Sequence, residues 1–160
     1  MSQTTPPGNG NPPPPPVVIE IQYAKDISFE VPGAPQIYAT LREPPRVNVD
    51  VDLQVSQLQQ GANLFEVALM LRVEARAAET VCYIGELTYC GVFTLNLPPE
   101  HAEQVLWVDC PRLLFPYARS ILSEVSGQGG FPALMLPPID VAQMIHAKRQ
   151  ARQQAAVGTA

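Results

Sequence analysis

Histidine and cysteine are scarce in this chain: two and three, respectively, in 160 residues. Catalysis and metal binding lean on these side chains, so their rarity narrows the field at once. His101 follows Pro98-Pro99-Glu100 and reads as a solvated loop residue; His146 falls among polar residues late in a helix. Cys82, Cys90 and Cys110 form no close pair, and their number is odd, which argues against a disulfide framework. With His101 they match no zinc-knuckle spacing, and cysteines in apolar strands are usually small core residues. Three glycine signatures are also missing: Gly-x-x-x-x-Gly-Lys, Gly-x-Gly-x-x-Gly and Gly-x-Ser-x-Gly. No signature of a nucleotide-phosphate loop or a nucleophilic serine is present, so neither an enzyme nor a cofactor is expected. Asp50 and Asp52 share one strand face, but they read as solvated charges rather than a catalytic pair.

Long apolar runs are absent as well. The longest, 67–71, is five residues, against the ~18 that a membrane helix needs. The first residues have neither a basic start nor an apolar stretch, so no signal peptide is expected and a soluble, cytoplasmic protein is. Basic residues are few, and the formal charge is −5. Lys148, Arg149 and Arg152 sit near the C-terminal end with no acid after Asp140, which leaves the rest of the chain more acidic still. An acidic body disfavours nucleic acid and favours a basic partner.

Proline is abundant: 18 residues, clustered. Residues 1–16 mix prolines with Gly, Asn, Ser and Thr and hold nothing to bury, so they read as a disordered or polyproline arm. The expected division is this arm at 1–16, one folded domain at 17–147 and a flexible tail at 148–160.

Within the domain, residues 17–23 alternate apolar and polar, as a strand does. A connection follows in which Pro32, Gly33, Pro35, Pro44 and Pro45 oppose regular structure. Val47, Val49, Val51, Leu53 and Val55 then alternate with polar residues. After a turn at 60–63, Phe65 to Ala77 alternates again. Ala78-Glu79 reads as a turn, and 80–93 is apolar on both faces. Short turns between strands imply an antiparallel meander. Two helices follow. The first places Leu114, Ala118, Ile121, Leu122 and Val125 on one face and starts at Pro111 or Pro116; if at Pro111, Pro116 kinks it. Gly127, Gly129 and Gly130 end it. The second starts at Asp140, an N-cap paired with Gln143 in a capping box. The fold class is therefore α+β, a four-stranded antiparallel sheet with two helices packed on one face.

Between the helices lies Gly-Phe-Pro-Ala-Leu-Met-Leu-Pro-Pro, 130–138, a loop so apolar that its own core or a partner must cover it. With Leu-Phe-Pro-Tyr-Ala-Arg at 114–119 and Lys-Asp-Ile-Ser-Phe-Glu-x-Pro-x-Ala-Pro at 25–35, it resembles the SecB family of bacterial protein-export chaperones. Glu86 with Gly91-Val92-Phe93 adds a weaker match. The motifs come in the family's order and span roughly residues 17–146.

The resemblance implies an ATP-independent holding chaperone that keeps precursor proteins unfolded and delivers them to the SecA motor. It implies a homotetramer, built as a dimer of dimers, with no direct membrane insertion. The client groove would run between the first crossover and the second helix, with Ile37, Tyr38, Leu41, Phe131, Leu134, Leu136, Ile139, Met144 and Ile145 as candidate walls. Asp26, Glu30, Ile84 and Glu86 match the positions that dock the motor. Leu113, Tyr117 and Ile121 of the first helix, with Gly85, Leu87 and Tyr89 of the two-faced strand, are candidate subunit contacts; a core of the single chain would use the same residues. Three features depart from the family: the long arm, a basic rather than acidic C-terminal stretch, and Arg42 where many members carry tryptophan. Two other readings stay open: a SecB-like chaperone for one client such as a toxin–antitoxin pair, and a carrier of a small apolar ligand held between sheet and helices.

Overall fold

The computed structural model describes residues 10–138 and 140–158. Four strands form one antiparallel sheet: β1 (Val17–Glu30), β2 (Arg46–Gln57), β3 (Leu64–Ala77) and β4 (Thr80–Leu95). Their spatial order is β1-β4-β3-β2, so β2 to β4 are a meander and β1 closes beside β4. The helical segments are α1 (Gln36–Thr40), α2 (Pro99–Gln104), α3 (Cys110–Gln128) and α4 (Val141–Val157).

The alternating patterns of β2 to β4 become one buried face. Val51, Leu53, Val67, Leu69, Leu71, Val73, Leu87 and Phe93 pack there against Leu114, Ala118 and Leu122 of α3, all nearly inaccessible to water. Gly91 makes the fit possible. A Cβ at this position would lie 2.6 Å from the Phe93 ring and 2.9 Å from Leu114. At the far end of α3, Gly129 admits the Phe29 ring, which a Cβ would approach to 2.4 Å.

The opposite face of β4 explains its second apolar stripe. Cys90 and Ala68 are buried there by neighbouring side chains and lie outside the helix-side core. The three cysteines are free and buried. Burial, with the nearby Asp109 charge, pushes the Cys110 thiol up to about 12.

Several elements differ from the sequence expectation. β1 runs seven residues past Tyr23, because register shifts between Ile19 and Ile21 and between Ala24 and Asp26 reset the alternation. The proline-rich connection still holds one helical turn, α1. His101 is in α2, not in a loop: Pro99 opens that helix, where its missing N–H is harmless. A π-helical turn, Val105–Asp109, joins α2 to α3, so helical backbone is continuous into α3 and Pro116 lies inside it. α4 extends to Val157, through most of the stretch expected to be a tail. Lys148 and Arg152 help hold it, pairing with Asp50 and Asp52 of β2. The Asp140 carboxylate accepts from the Gln143 N–H at 3.0 Å, the expected N-cap. Residues 10–15 have no regular structure, and Asn96 donates to the carbonyls of Pro15 (3.0 Å) and Pro16 (2.8 Å). Residues 1–9 of the expected arm lie outside the described residues.

Candidate functional site

The client-groove residues fall into two sets. Ile37 is buried at the base of the crossover, while Tyr38 beside it is 46% exposed. The Tyr38 ring lies 5.5 Å from Phe131, which lies 4.9 Å from Tyr83, which lies 5.2 Å from Phe29. This file of four rings joins the crossover, the loop after α3 and the sheet. The Tyr38 hydroxyl donates to the Gly129 carbonyl at 2.7 Å, fixing the crossover to the glycine turn. Gly130, at φ +82°, completes that turn in a conformation other residues rarely adopt.

The second set follows the loop. Phe131 and Leu136 are buried and Leu134 half-buried, so the chain's own core covers much of the apolar loop. Met135 is 78% exposed. Ile145 is buried and Met144 half-buried on α4. Ile139 lies outside the described residues. Leu41 and Ile37 also line a cavity of about 750 Å³ beneath the crossover, rimmed by Arg42, Arg46 and Arg76. Sequence reading gave Arg42 no partner and did not see the other two beside it. It also did not foresee the seat of Arg149, whose guanidinium lies 4.2 Å over the ring of Trp107, the chain's only tryptophan.

The four expected motor-docking residues come together on the face away from the helices. Asp26 pairs in register with Thr88, Ser28 with Glu86, and Glu30 with Ile84. Alternation therefore puts Asp26, Glu30, Ile84 and Glu86 on one surface of two adjacent strands. Glu86 is ion-paired to Arg72 across the β3–β4 ladder. A shallow depression of about 180 Å³ extends the surface toward β2, where Asp50 and Asp52 line it. Burial works against the Asp52 charge, but the Leu53 N–H, Arg152 and Lys148 outweigh it and hold the carboxyl below its usual range.

Farther along the same face, Glu66 accepts from Lys25 at 2.9 Å and from the Tyr23 hydroxyl. Both donors favour the carboxylate, and its pKa falls below the usual range. The Tyr23 phenol is raised by the same bond.

The expected subunit contacts divide. Leu113 (44%) and Tyr117 (54%) are exposed on α3, and Ile121 is half-buried. Gly85, Leu87 and Tyr89 are buried within the chain; a Cβ at Gly85 would lie 2.9 Å from Val73 and 3.7 Å from Leu122. Tyr89 stacks with Tyr117 at 6.2 Å, so it backs the exposed ring. Among the described residues no group of His, Cys, Asp and Glu is placed to hold a metal ion. None of the described helices is long and apolar enough to cross a membrane.

The fold and the sequence have counterparts in known proteins. The fold is similar to that of a SecB-like chaperone from Mycobacterium tuberculosis, solved in complex with a ChAD peptide from the HigA1 antitoxin. That likeness has a TM-score of 0.62 at 14% identity and covers 77% of this chain and 87% of that one. The Protein-export protein SecB of Granulibacter bethesdensis is 51% identical over 152 residues, covering 90% of this chain and 88% of the relative. That of Gluconacetobacter diazotrophicus is 44% identical over 168 residues, covering 97% and 98%. The family described as Preprotein translocase subunit SecB matches residues 11–153. With sheet, crossover and acidic strand face in place over that whole span, the chain belongs to the SecB family.

Proposed function

We propose that this protein captures precursor proteins in the unfolded state and keeps them competent for export in the cytoplasm, without ATP. The observation that carries this reading is membership of the SecB family together with apolar side chains left uncovered beside the crossover, chiefly Tyr38 and Met135. Unfolded clients differ in sequence, so their site must be apolar and adaptable, and aromatic and methionine side chains suit that use. The wall runs from Tyr38 and Leu41 over Phe131 to Leu134 and Met144, with Ile37, Leu136 and Ile145 as its buried support.

Magnitudes call for many contacts at once. One buried client Leu or Phe contributes about 1.5–3 kcal/mol. Micromolar binding needs about 8 kcal/mol after association costs of several more, hence roughly five to eight anchors. A homotetramer whose grooves are shared by one long client meets that need through effective concentration. The exposed Leu113 and Tyr117, with Ile121, are the surface for subunit contact on α3. The acidic strand face, Asp26, Glu30 and Glu86 around Ile84, is the surface for the basic segment of the SecA motor. Its charge steers such a partner and weakens with salt.

A carrier of a small apolar ligand is disfavoured by the three arginines around the cavity beneath the crossover. The dedicated-client reading separates from the general one by which proteins are pulled down from cells. The main test is native mass measurement with and without a reduced, denatured precursor. A tetramer alone and a one-to-one tetramer–client complex are expected. A lone subunit that ignores every denatured polypeptide would end this reading.

A further inference from the structure

The acidic depression on the outer face is largely neutralised by the chain itself. Asp26 on β1, Asp50 and Asp52 on β2, and Glu86 on β4 line it. Glu86 pairs with Arg72. Asp50 lies 3.0 Å from Lys148; Asp52 lies 3.6 Å from Lys148 and 3.0 Å from Arg152. Of these acids, Asp26 alone forms no ion pair among the described residues. A basic partner that arrives here meets carboxylates that already have counter-ions.

The two sources of positive charge differ in kind. Arg72 stands in the sheet, directly across the β3–β4 ladder from Glu86, and cannot leave it. Lys148 and Arg152 belong to α4, whose Val141 and Ile145 are part of the helix-side core. Asp50 and Asp52 alternate with the buried Val51 and Leu53, so the two cations reach around the β2 rim to the outer face. Four residues apart, they share one side of the helix. From Arg149 to Gly158 every residue is exposed, so charge, not burial, holds this half of α4 to the sheet. The Arg152 side chain is 65% exposed and that of Asp50 67%. Ion pairs so open to water and salt are weak, and a cation from another chain can replace them. Once released, so short a piece of helix frays.

We propose that Lys148 and Arg152 are a built-in competitor of the motor's basic segment. They shield Asp50 and Asp52 until that segment takes both carboxylates and lifts the second half of α4 off β2. Resting on the motor-docking reading of the acidic face, this adds that the chain sets its own affinity there. At Asp50 and Asp52 each cation gained is a cation lost. The number of ion pairs there hardly changes on docking, so salt weakens binding less steeply than it would on bare carboxylates.

The test titrates three full-length proteins with purified SecA by calorimetry, at low and at high salt. They are the natural protein, a Lys148→Gln/Arg152→Gln variant and an Arg42→Gln/Arg46→Gln variant that matches its change in net charge. Removing the shield is expected to tighten motor binding about fivefold at low salt, with a steeper fall as salt rises. The charge-matched variant is expected to stay within about twofold of the natural protein. A second measurement needs no variant: amide exchange of α4 beyond Arg149 is expected to speed up in the natural protein when SecA binds. Equal affinity with and without the shield, equal tightening in both variants, or exchange that does not speed up overturns the inference. The docking reading still stands in those cases if Glu86→Lys weakens binding. A Glu86→Lys variant that binds SecA as the natural protein does overturns the docking reading, and the inference with it.

Discussion

On β4, Phe93 is fully buried against α3, while Glu86 on the opposite face is half exposed and ion-paired to Arg72. The same strand thus serves two regimes. On the helix side, neighbours fit to within a methyl group, as Gly91 beneath the Phe93 ring shows. On the outer side, charges are paired across the ladder with water alongside. Shape governs the first face and charge the second. Substitutions on the helix side should therefore change stability, and those on the outer side should change binding and its salt and pH dependence.

The sharpest way to break the comparison is Phe93→Ala. It leaves a cavity in a filled core and should lower unfolding free energy by about 3–5 kcal/mol, read from the urea midpoint. A loss below about 1 kcal/mol would mean that the two faces are not distinct. Glu86→Lys tests the outer face. Motor binding should weaken about tenfold at low salt, with stability changed by no more than about 0.5 kcal/mol and client binding intact. Unchanged motor affinity would refute the docking surface.

Glu66→Gln sharpens the comparison through pH. The Glu66 pKa is lowered in the folded chain, so its bonds to Lys25 and Tyr23 stabilise the fold above the ordinary carboxylate pKa. That contribution is lost as pH falls through the lowered value. The variant should be less stable by about 1 kcal/mol at neutral pH and equal to the natural protein in acid, measured by urea unfolding at each pH. Lys148→Ala should have the smallest effect, about 0.5 kcal/mol or less, but should make the C-terminal helix more accessible to proteolysis.

Much of this was legible in the sequence, for reasons the same comparison explains. Val51, Leu53, Leu69 and Leu71 are read correctly because a face buried by shape imposes a strict period of two. Leu114, Ala118 and Leu122 follow the helical period for the same reason. The grouping of Asp26, Glu30 and Glu86 is visible through the family motifs, and their register on β1 and β4 places them on one surface. Where periodicity is interrupted, the reading fails. Two register shifts hide the second half of β1. The π-helical turn and the pair Pro98-Pro99 hide the helical backbone before α3. Gly85 and Leu87 could not be assigned to core or interface from apolarity alone, since both uses select the same side chains. The arginine-lined cavity was beyond sequence reading, because Arg42, Arg46 and Arg76 come from three segments that only the β2–β3 ladder and the crossover bring together.

The two outer strands of the sheet are not equivalent. Against β2 lies α4, with Lys148 donating to the backbone oxygen of Val51 at 3.3 Å as well as to Asp50. β1 packs on the end of α3 at Phe29, on the sheet face, and shows Ile19, Ile21 and Ile27 at its surface. A sheet with two bare rims can extend without limit as copies add at each side, the route to ribbons and fibrils. Here α4 covers part of one rim. Strand addition is therefore more open at β1 than at β2, and joining at one rim alone yields a pair that cannot lengthen into a ribbon.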